Sequence, residues 1–297
     1  MALSTNSWGK DIFTTKESII FGITQGMTEF LPISSTGHLI LVDQFLLQHE
    51  PSSSDDTSSL TTLKIQAKNA YFVIIQFGSM LAVLFLYKRR FVDMFLSLLG
   101  HNYHGRNLIF NLITSFLPAA IIGPFIGGWL QKTLYHSFPV AIALIIGGVI
   151  MIRIEKSYSK KRAKSYGKID NLTFAKSFSI GLWQCLAFVP GTSRSMATIV
   201  GGYQCGLRRS EAAEYSFLLG FVTLSAATIY EFIKGFNAIF LYFSVRTFLL
   251  GIFTACLSSM VAIKFLISFI ARNGMVSFGW YRIVLAILVL CSFLRSH

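Results

Sequence analysis

Charge is what this chain has least of. Only 13% of its 297 residues are Asp, Glu, Lys or Arg, about half the share of a soluble domain. That deficit excludes a surface covered all round by water. Proline is scarce too, at six residues; two of them, Pro32 and Pro190, are read as ending the helices before them. The four cysteines, Cys185, Cys205, Cys256 and Cys291, are scattered through apolar stretches with no metal-type pairing. They read as small packing residues. Acids are half as numerous as bases, 13 against 26, for a net charge of +13. In a soluble chain this would suggest nucleic acid, but here the bases cluster between apolar runs and no nucleic-acid fingerprint accompanies them. Residues 1–16 are polar with no apolar core, so no cleavable signal peptide is expected and the first helix directs insertion.

What the chain has instead is apolar length. Hydrophobic residues make up 53%, and the mean hydropathy is +0.60. Apolar runs fall at 70–87, 107–130, 138–152, 215–233, 245–270 and 276–294. Several approach the roughly 20 residues that cross a bilayer core. A helical integral membrane protein follows, since only helices and closed barrels satisfy the backbone in lipid. The period-2 alternation of a barrel is missing.

Basic residues give the expected topology. Lys88, Arg89, Arg90 and Arg106 flank one loop, and Arg153 to Lys176 crowd a second. Arg208 and Arg209 mark a third, Lys264 and Arg272 a fourth. Residues 49–63 carry Glu50, Asp55 and Asp56 and no Lys or Arg. The positive-inside rule puts the four basic stretches in the cytoplasm and 49–63 outside. Six spans then run over 65–87, 107–130, 138–153, 210–233, 245–267 and 276–294. The parity closes only if 17–48 and 177–207 are re-entrant helical hairpins, entering from opposite sides. The expected fold is an all-α membrane protein of six spanning helices and two re-entrant hairpins in an inverted-topology repeat. Residues 1–153 form the first repeat, 154–176 a basic linker and 177–297 the second repeat.

Each expected hairpin carries a Pro-interrupted, Ser-rich tip. One runs from Gln25 through Glu29, Phe30, Pro32, Ser34, Ser35 and Thr36 to His38. The other runs from Gln184 through Phe188, Pro190, Gly191, Thr192, Ser193 and Arg194 to Ser195. Matched without a gap, Phe30, Pro32, Ser34 and Ser35 fall on Phe188, Pro190, Thr192 and Ser193. Broken helices at corresponding positions of two halves point to a binding site. Irregular backbone at membrane depth needs a protein or water-filled surround, so the tips predict a cavity. Helices starting near Ser35 and Ser195 aim positive dipole ends and free N–H groups into it, which suits phosphate.

The residue types fit that anion. A carboxylate at mid-membrane depth costs roughly 2.5–3.5 kcal/mol, so Glu29 is either paired with a base or serves as a metal ligand or proton-transfer group. Ser35 and His38 are three apart and share a helix face. A serine beside a histidine is the minimum for an activated nucleophile, although a histidine at a helix start is often structural. Arg194 lies in a loop of small residues, and its flat fork of donors matches phosphate. It is equally placed to pair with Glu29. Ser193, Ser195 and Thr198 offer hydroxyls as ligands or as helix caps. Gln25, four residues before Glu29, either orients the carboxylate or ligates a metal. Glu211 and Glu214 start a helix, where acids favour the dipole, and are read as structural.

At these residues the chain resembles the undecaprenyl-diphosphatase (bacitracin-resistance) family of bacterial inner-membrane enzymes. The first signature reads here as Gln25 to His38, and the second, Pro-Gly-x-Ser-Arg-Ser-x-x-Thr, as Pro190 to Thr198. Similarity extends to Ile75–Gly78, Pro118–Ala120, Glu211–Leu219 and Tyr281–Ile283. Gln25 stands where other members carry Glu, and Met196 where Gly is usual. The resemblance implies hydrolysis of undecaprenyl diphosphate to undecaprenyl phosphate and phosphate, recycling the lipid carrier of cell-wall synthesis. It implies Ser35 as nucleophile, Glu29 as metal ligand or acid–base group, His38 as proton-transfer partner and Arg194 as diphosphate clamp. Ser34, Thr36, Gly191, Ser193, Ser195 and Thr198 are expected substrate contacts. A divalent cation, Mg or Ca, is expected on Glu29 and Gln25. The active site is expected to open to the periplasm. Expected partners are the lipid substrate, bacitracin as competitor for it, membrane lipids and a second copy of the chain, but no nucleic acid.

A secondary transporter or flippase for a polyprenyl phosphate is the main rival, because midplane breaks in inverted repeats are transporter architecture. The histidine-nucleophile lipid phosphatases need a second histidine after the Ser-Arg pair. None occurs between His136 and His297.

Overall fold

The computed structural model describes residues 12–43, 59–100, 103–134, 137–160 and 167–295. Eleven α-helices occupy them: α1 Thr15–Glu29, α2 Ser35–Leu41, α3 Ser59–Leu86, α4 Lys88–Leu98, α5 Tyr103–Leu134, α6 Ser137–Lys160, α7 Phe174–Cys185, α8 Arg194–Gln204, α9 Arg209–Tyr242, α10 Val245–Asn273 and α11 Val276–Arg295. Among the described residues β pairing is limited to one bridge, Gly167 with Leu207. Five stretches are long and apolar enough to cross a membrane: Ala67–Leu86, Gly105–Gly127, Phe138–Ser159, Arg209–Ile233 and Val245–Asn273. A shorter apolar stretch, Val276–Cys291, coincides with the sixth expected span. The protein is an all-helical, multi-pass membrane protein.

Two boundaries differ from expectation. The basic linker was expected from residue 154, yet α6 continues to Lys160, because Glu155 on its last turns is buried and bonded to neighbouring helices. The stretch 49–63, expected outside the membrane, is helical at its far end, since α3 already begins at Ser59; residues 49–58 lie outside the described residues. The stretch expected to be a basic loop also contains α4. Its Arg90 bonds Glu214 of α9 (2.8 Å) and Asp170 (3.0 Å), so the two basic loops and the start of α9 are cross-tied.

The two broken segments share one backbone plan. Thr14 caps α1 by accepting from the Glu17 N–H, and Thr173 caps α7 by accepting from the Lys176 N–H. Ser34 and Ser193 cap α2 and α8 in the same way. Both serines take positive φ, 74° and 71°, a region costly for a residue with a Cβ. Thr14 and Thr173, Ser18 and Ser177, Gly22 and Gly181, Gln25 and Gln184, and Ser34 and Ser193 are related by one constant offset in number. This corrects the ungapped match of Phe30 with Phe188 by one residue. Shared Phe and Pro letters drew that match, whereas the caps fix the backbone. In the corrected register Phe188 takes the position of Glu29, and Arg194 that of Ser35.

Small residues bring the broken segments close to the spanning helices. A Cβ on Gly22 or Gly26 of α1 would lie 2.5 Å from the Gly251 carbonyl or 2.3 Å from the Ala255 carbonyl of α10. Ser259 of α10 donates to the Gly26 carbonyl at 3.1 Å. On the other side, Gly181 of α7 meets the Ser115 carbonyl of α5 at 2.4 Å in the same sense, and Ser115 donates to the Ser177 carbonyl at 2.6 Å. Close approach over small residues with added hydroxyl bonds is how helices associate where lipid removes the hydrophobic drive. Helices α6 and α11 approach through Gly148 and Gly279. These contacts set how deep each break sits.

Gly26→Leu tests this packing. The added carbons overlap the Ser258 hydroxyl and the Ala255 carbonyl, and a loss of about 1–3 kcal/mol is expected for such overpacking, seen as an earlier thermal transition in detergent.

Candidate active site at the two chain breaks

Helix α1 ends at Glu29, and α7 ends at Cys185 with a further 3-10 turn over Leu186–Phe188. Pro32 and Pro190 lie in the turns that follow, where a missing N–H and a fixed φ prevent the helix from resuming. The chain restarts at Ser35 and at Arg194, the first residues of α2 and α8. The second restart is one residue earlier than expected from sequence.

These restarts meet around one carboxylate. Glu29 is 6% exposed. Its Oε2 accepts from the Ser35 hydroxyl at 3.0 Å and from the Gln25 amide nitrogen at 2.8 Å. Its Oε1 accepts from Arg194 Nη2 at 3.3 Å. Arg194 also donates Nη1–H to the Ser216 carbonyl of α9 at 2.9 Å. Two buried polar atoms here have no protein partner, Gln25 Oε1 and Arg194 Nε. The tips are joined a second time by Ser195, whose hydroxyl donates to the Leu31 carbonyl at 2.9 Å.

His38 is not paired with Ser35. Its Nδ1 is 2.7 Å from the Ser34 carbonyl, and its Nε2 is 2.7 Å from the Tyr281 hydroxyl. A carbonyl only accepts, so Nδ1 carries the proton; in the neutral ring Nε2 then accepts from Tyr281. The hydroxyl of Ser35 is aimed at Glu29 instead, so the carboxylate is the base in reach.

The other expected contacts divide by burial. Thr36 and Ser193 are half-buried beside Ser35 and Arg194. Ser34, Ser195 and Thr198 are buried and committed to the scaffold. Ser34 accepts from the Gly37 N–H, and Thr198 donates to the Arg194 carbonyl and accepts from the Ser216 hydroxyl at 2.6 Å. Gly191, at φ 91°, has its Cα hydrogen face against the Val140 carbonyl, where a Cβ would lie 2.6 Å away. Met196 is buried with its methyl against Gly147. An open groove of about 560 Å³ along α10, lined by Lys264, Phe265 and Arg272, shares no residue with this site.

Comparison with known proteins bears on what such a site belongs to. Residues 18–288 match the family described as "Bacitracin resistance protein BacA". This chain belongs to that family. An undecaprenyl-diphosphatase of Methylobacillus flagellatus is 38% identical over 282 residues, covering 94% of this chain and 98% of that protein. One from Sulfurihydrogenibium sp. is 39% identical over 275 residues, covering 93% and 98%. Undecaprenyl-diphosphatase 3 of Acinetobacter baylyi is 35% identical over 274 residues, covering 92% and 96%.

One residue of this family member's site escaped sequence reasoning. Arg282 of α11 is fully buried. Nη1 donates to the carbonyls of Thr192 (2.8 Å) and Pro32 (3.3 Å), Nη2 to those of Gly191 (2.8 Å) and Ala143 (3.2 Å), and Nε to that of Leu144 (3.3 Å). All five N–H groups of the guanidinium are used, and three of the carbonyls belong to the two breaks. Gly147 makes room, since a Cβ there would lie 2.3 Å from Nη2. The available signal was a lone arginine within an apolar run.

Arg282→Met is expected to lose at least about 3 kcal/mol, because several buried carbonyls lose their donors together. Arg282→Lys, with three donors in place of five, recovers only part of it. Thermal melts of the purified variants check both.

Proposed function

We propose that this protein hydrolyses undecaprenyl diphosphate to undecaprenyl phosphate and phosphate, and so recycles the lipid carrier of cell-wall synthesis. The observation that carries the reading is Glu29 held between Ser35 and Arg194 where the two breaks meet, in a chain of this family whose relatives bear that name.

The chemistry follows from the donors and acceptors. Ser35 Oγ gives its proton to Glu29 Oε2 as it attacks the terminal phosphorus. The Oγ–P bond forms, the bridging P–O bond breaks, and undecaprenyl phosphate departs. Glu29 then releases that proton to solvent. Water attacks the phosphoserine, Glu29 takes the water proton and passes it to Ser35 Oγ as the Oγ–P bond breaks and phosphate leaves. Arg194 moves from Glu29 to the phosphoryl oxygens as the carboxylate is protonated, placing its charge where negative charge develops. His38 and Tyr281 form the outer proton-transfer pair. Ser193, Thr36 and the first N–H groups of α8 bind phosphoryl oxygens.

A divalent cation fits here only in a shared form. Among the described residues no group of three or more His, Cys, Asp or Glu comes together. Glu29 and the orphaned Gln25 Oε1 beside it would hold it through oxygen, as suits Mg or Ca. When bound, the cation neutralises charge on the phosphoryl group.

We further propose six spans with two re-entrant hairpins in an inverted repeat, in the bacterial inner membrane with the site open to the periplasm. The constant offset between the two sets of caps and the matching α1–α10 and α7–α5 packing support it. So does the basic character of the ends read as cytoplasmic.

Phosphate release from undecaprenyl diphosphate by purified protein tests the function. Ser35→Ala, Glu29→Ala and Arg194→Ala are each expected to lose at least about a hundredfold in rate, the scale of one proton-transfer or charge-stabilising group. A chelator is expected to lower the wild-type rate, with recovery on adding Mg or Ca. Absence of release by the wild type would favour a carrier of polyprenyl phosphate instead.

A further inference from the structure

Arg194 reaches the acid of the other break through a tightly shaped space on α9. Ser216 of that helix accepts from Nη1 through its carbonyl. The guanidinium carbon stands 5.8 Å from the centre of the Phe30 ring. Phe30 in turn meets Phe217 of α9 edge-on, with ring centres 5.2 Å apart. One turn beyond Ser216, on the same helix face, is Gly220. A Cβ there would lie 2.5 Å from Nη1, 2.6 Å from Cζ and 2.7 Å from Nη2 of Arg194. It would overlap the whole planar head.

The helix itself does not ask for glycine at this position. Gly220 is inside α9 and is not among the positive-φ glycines. Glycine in a helix interior is disfavoured relative to alanine. Its contribution is room for the guanidinium. The wall it belongs to is held in register. Arg209 bonds Glu155, Glu211 accepts from the Ile169 N–H, and Glu214 bonds Arg90, all within the first turns of α9. The Thr198 hydroxyl ties the Arg194 carbonyl to Ser216, so backbone and head of Arg194 are both referred to α9.

We propose that Ser216 and Gly220, with Phe30 backed by Phe217, form a socket that fixes the guanidinium of Arg194 against Glu29 and in line with an incoming diphosphate, with Gly220 as a positioning residue. The catalytic part of this inference rests on the proposed hydrolysis; the socket itself does not. A fixed planar donor fork needs no reorganisation when phosphoryl charge develops, and small displacements of such a group cost rate steeply.

Two double-mutant cycles test it. In the first, phosphate release from undecaprenyl diphosphate is measured for Gly220→Ala beside Arg194 and beside Arg194→Lys. The expected loss in kcat/KM is at least about tenfold with arginine and under about twofold with the slimmer lysine. In the second, melting is followed without substrate. Gly220→Ala is expected to lower the transition by about 2 °C or more in the wild type, and not at all in Arg194→Ala, where the methyl has space. Activity of Gly220→Ala/Arg194→Lys equal to Arg194→Lys also shows that the alanine variant folds. Equal losses in both backgrounds, or no loss beside Arg194, would overturn the socket. A wild type that releases no phosphate overturns the proposed reaction, and the melting cycle then decides the socket alone.

Discussion

One carboxylate and one guanidinium, buried against each other at two breaks in the helical fabric, set the requirements for the rest of the molecule. Glu29 and Arg194 are 5% and 8% exposed at their side chains. Each charge would be costly if buried there without a partner. Removing one partner of a buried pair typically costs about 3–5 kcal/mol. The pair exists only if both breaks reach the same level, and that level is fixed by α1 lying tight on α10 and α7 on α5. Glycines and hydroxyls along those seams therefore serve the chemistry as directly as the residues around the acid.

A shared skeleton carries unequal chemistry. Ser35 and Arg194 occupy the same first helical position after equivalent serine caps, but one brings a hydroxyl and the other a permanent cation. Gln25 steadies Glu29, whereas Gln184 accepts from Thr223 at 3.1 Å, and the position corresponding to Glu29 is taken by Phe188. The acid and hydroxyl come from one half and the counter-charge from the other. Neither half is complete by itself, so the site is specified by the fold as a whole.

Much of this was legible in the sequence because membrane burial makes polar residues conspicuous. Glu29, Ser35 and Arg194 stood out as costly residues in apolar surroundings, and they do converge. Prolines located both breaks. What could not be read was direction. Ser35 and His38 share a helix face by spacing, yet the histidine turns to the Ser34 carbonyl and Tyr281, contacts that depend on a helix far away in sequence. Letter matching aligned the tips one residue out, because side-chain identity and backbone equivalence follow different constraints. Gly220 was silent, and the lone Arg282 in its apolar run went unread, for the same reason: their importance lies in what crosses to them from other helices. α4 was hidden by its basic residues, which resemble a loop until their partners on α9 are known.

The five carbonyls around Arg282 have a consequence for how the molecule meets an anion. Carbonyl dipoles solvate this guanidinium without cancelling it, and no acid contacts it among the described residues. Glu29 neutralises Arg194, but among the described residues no acid neutralises Arg282. The junction of the two breaks is therefore a positive well in a medium of low polarisability, where fields are weakly screened and reach far. Under the proposed function, a dianionic head group meeting it would offset this charge, and the long apolar tail need supply only residence in the bilayer.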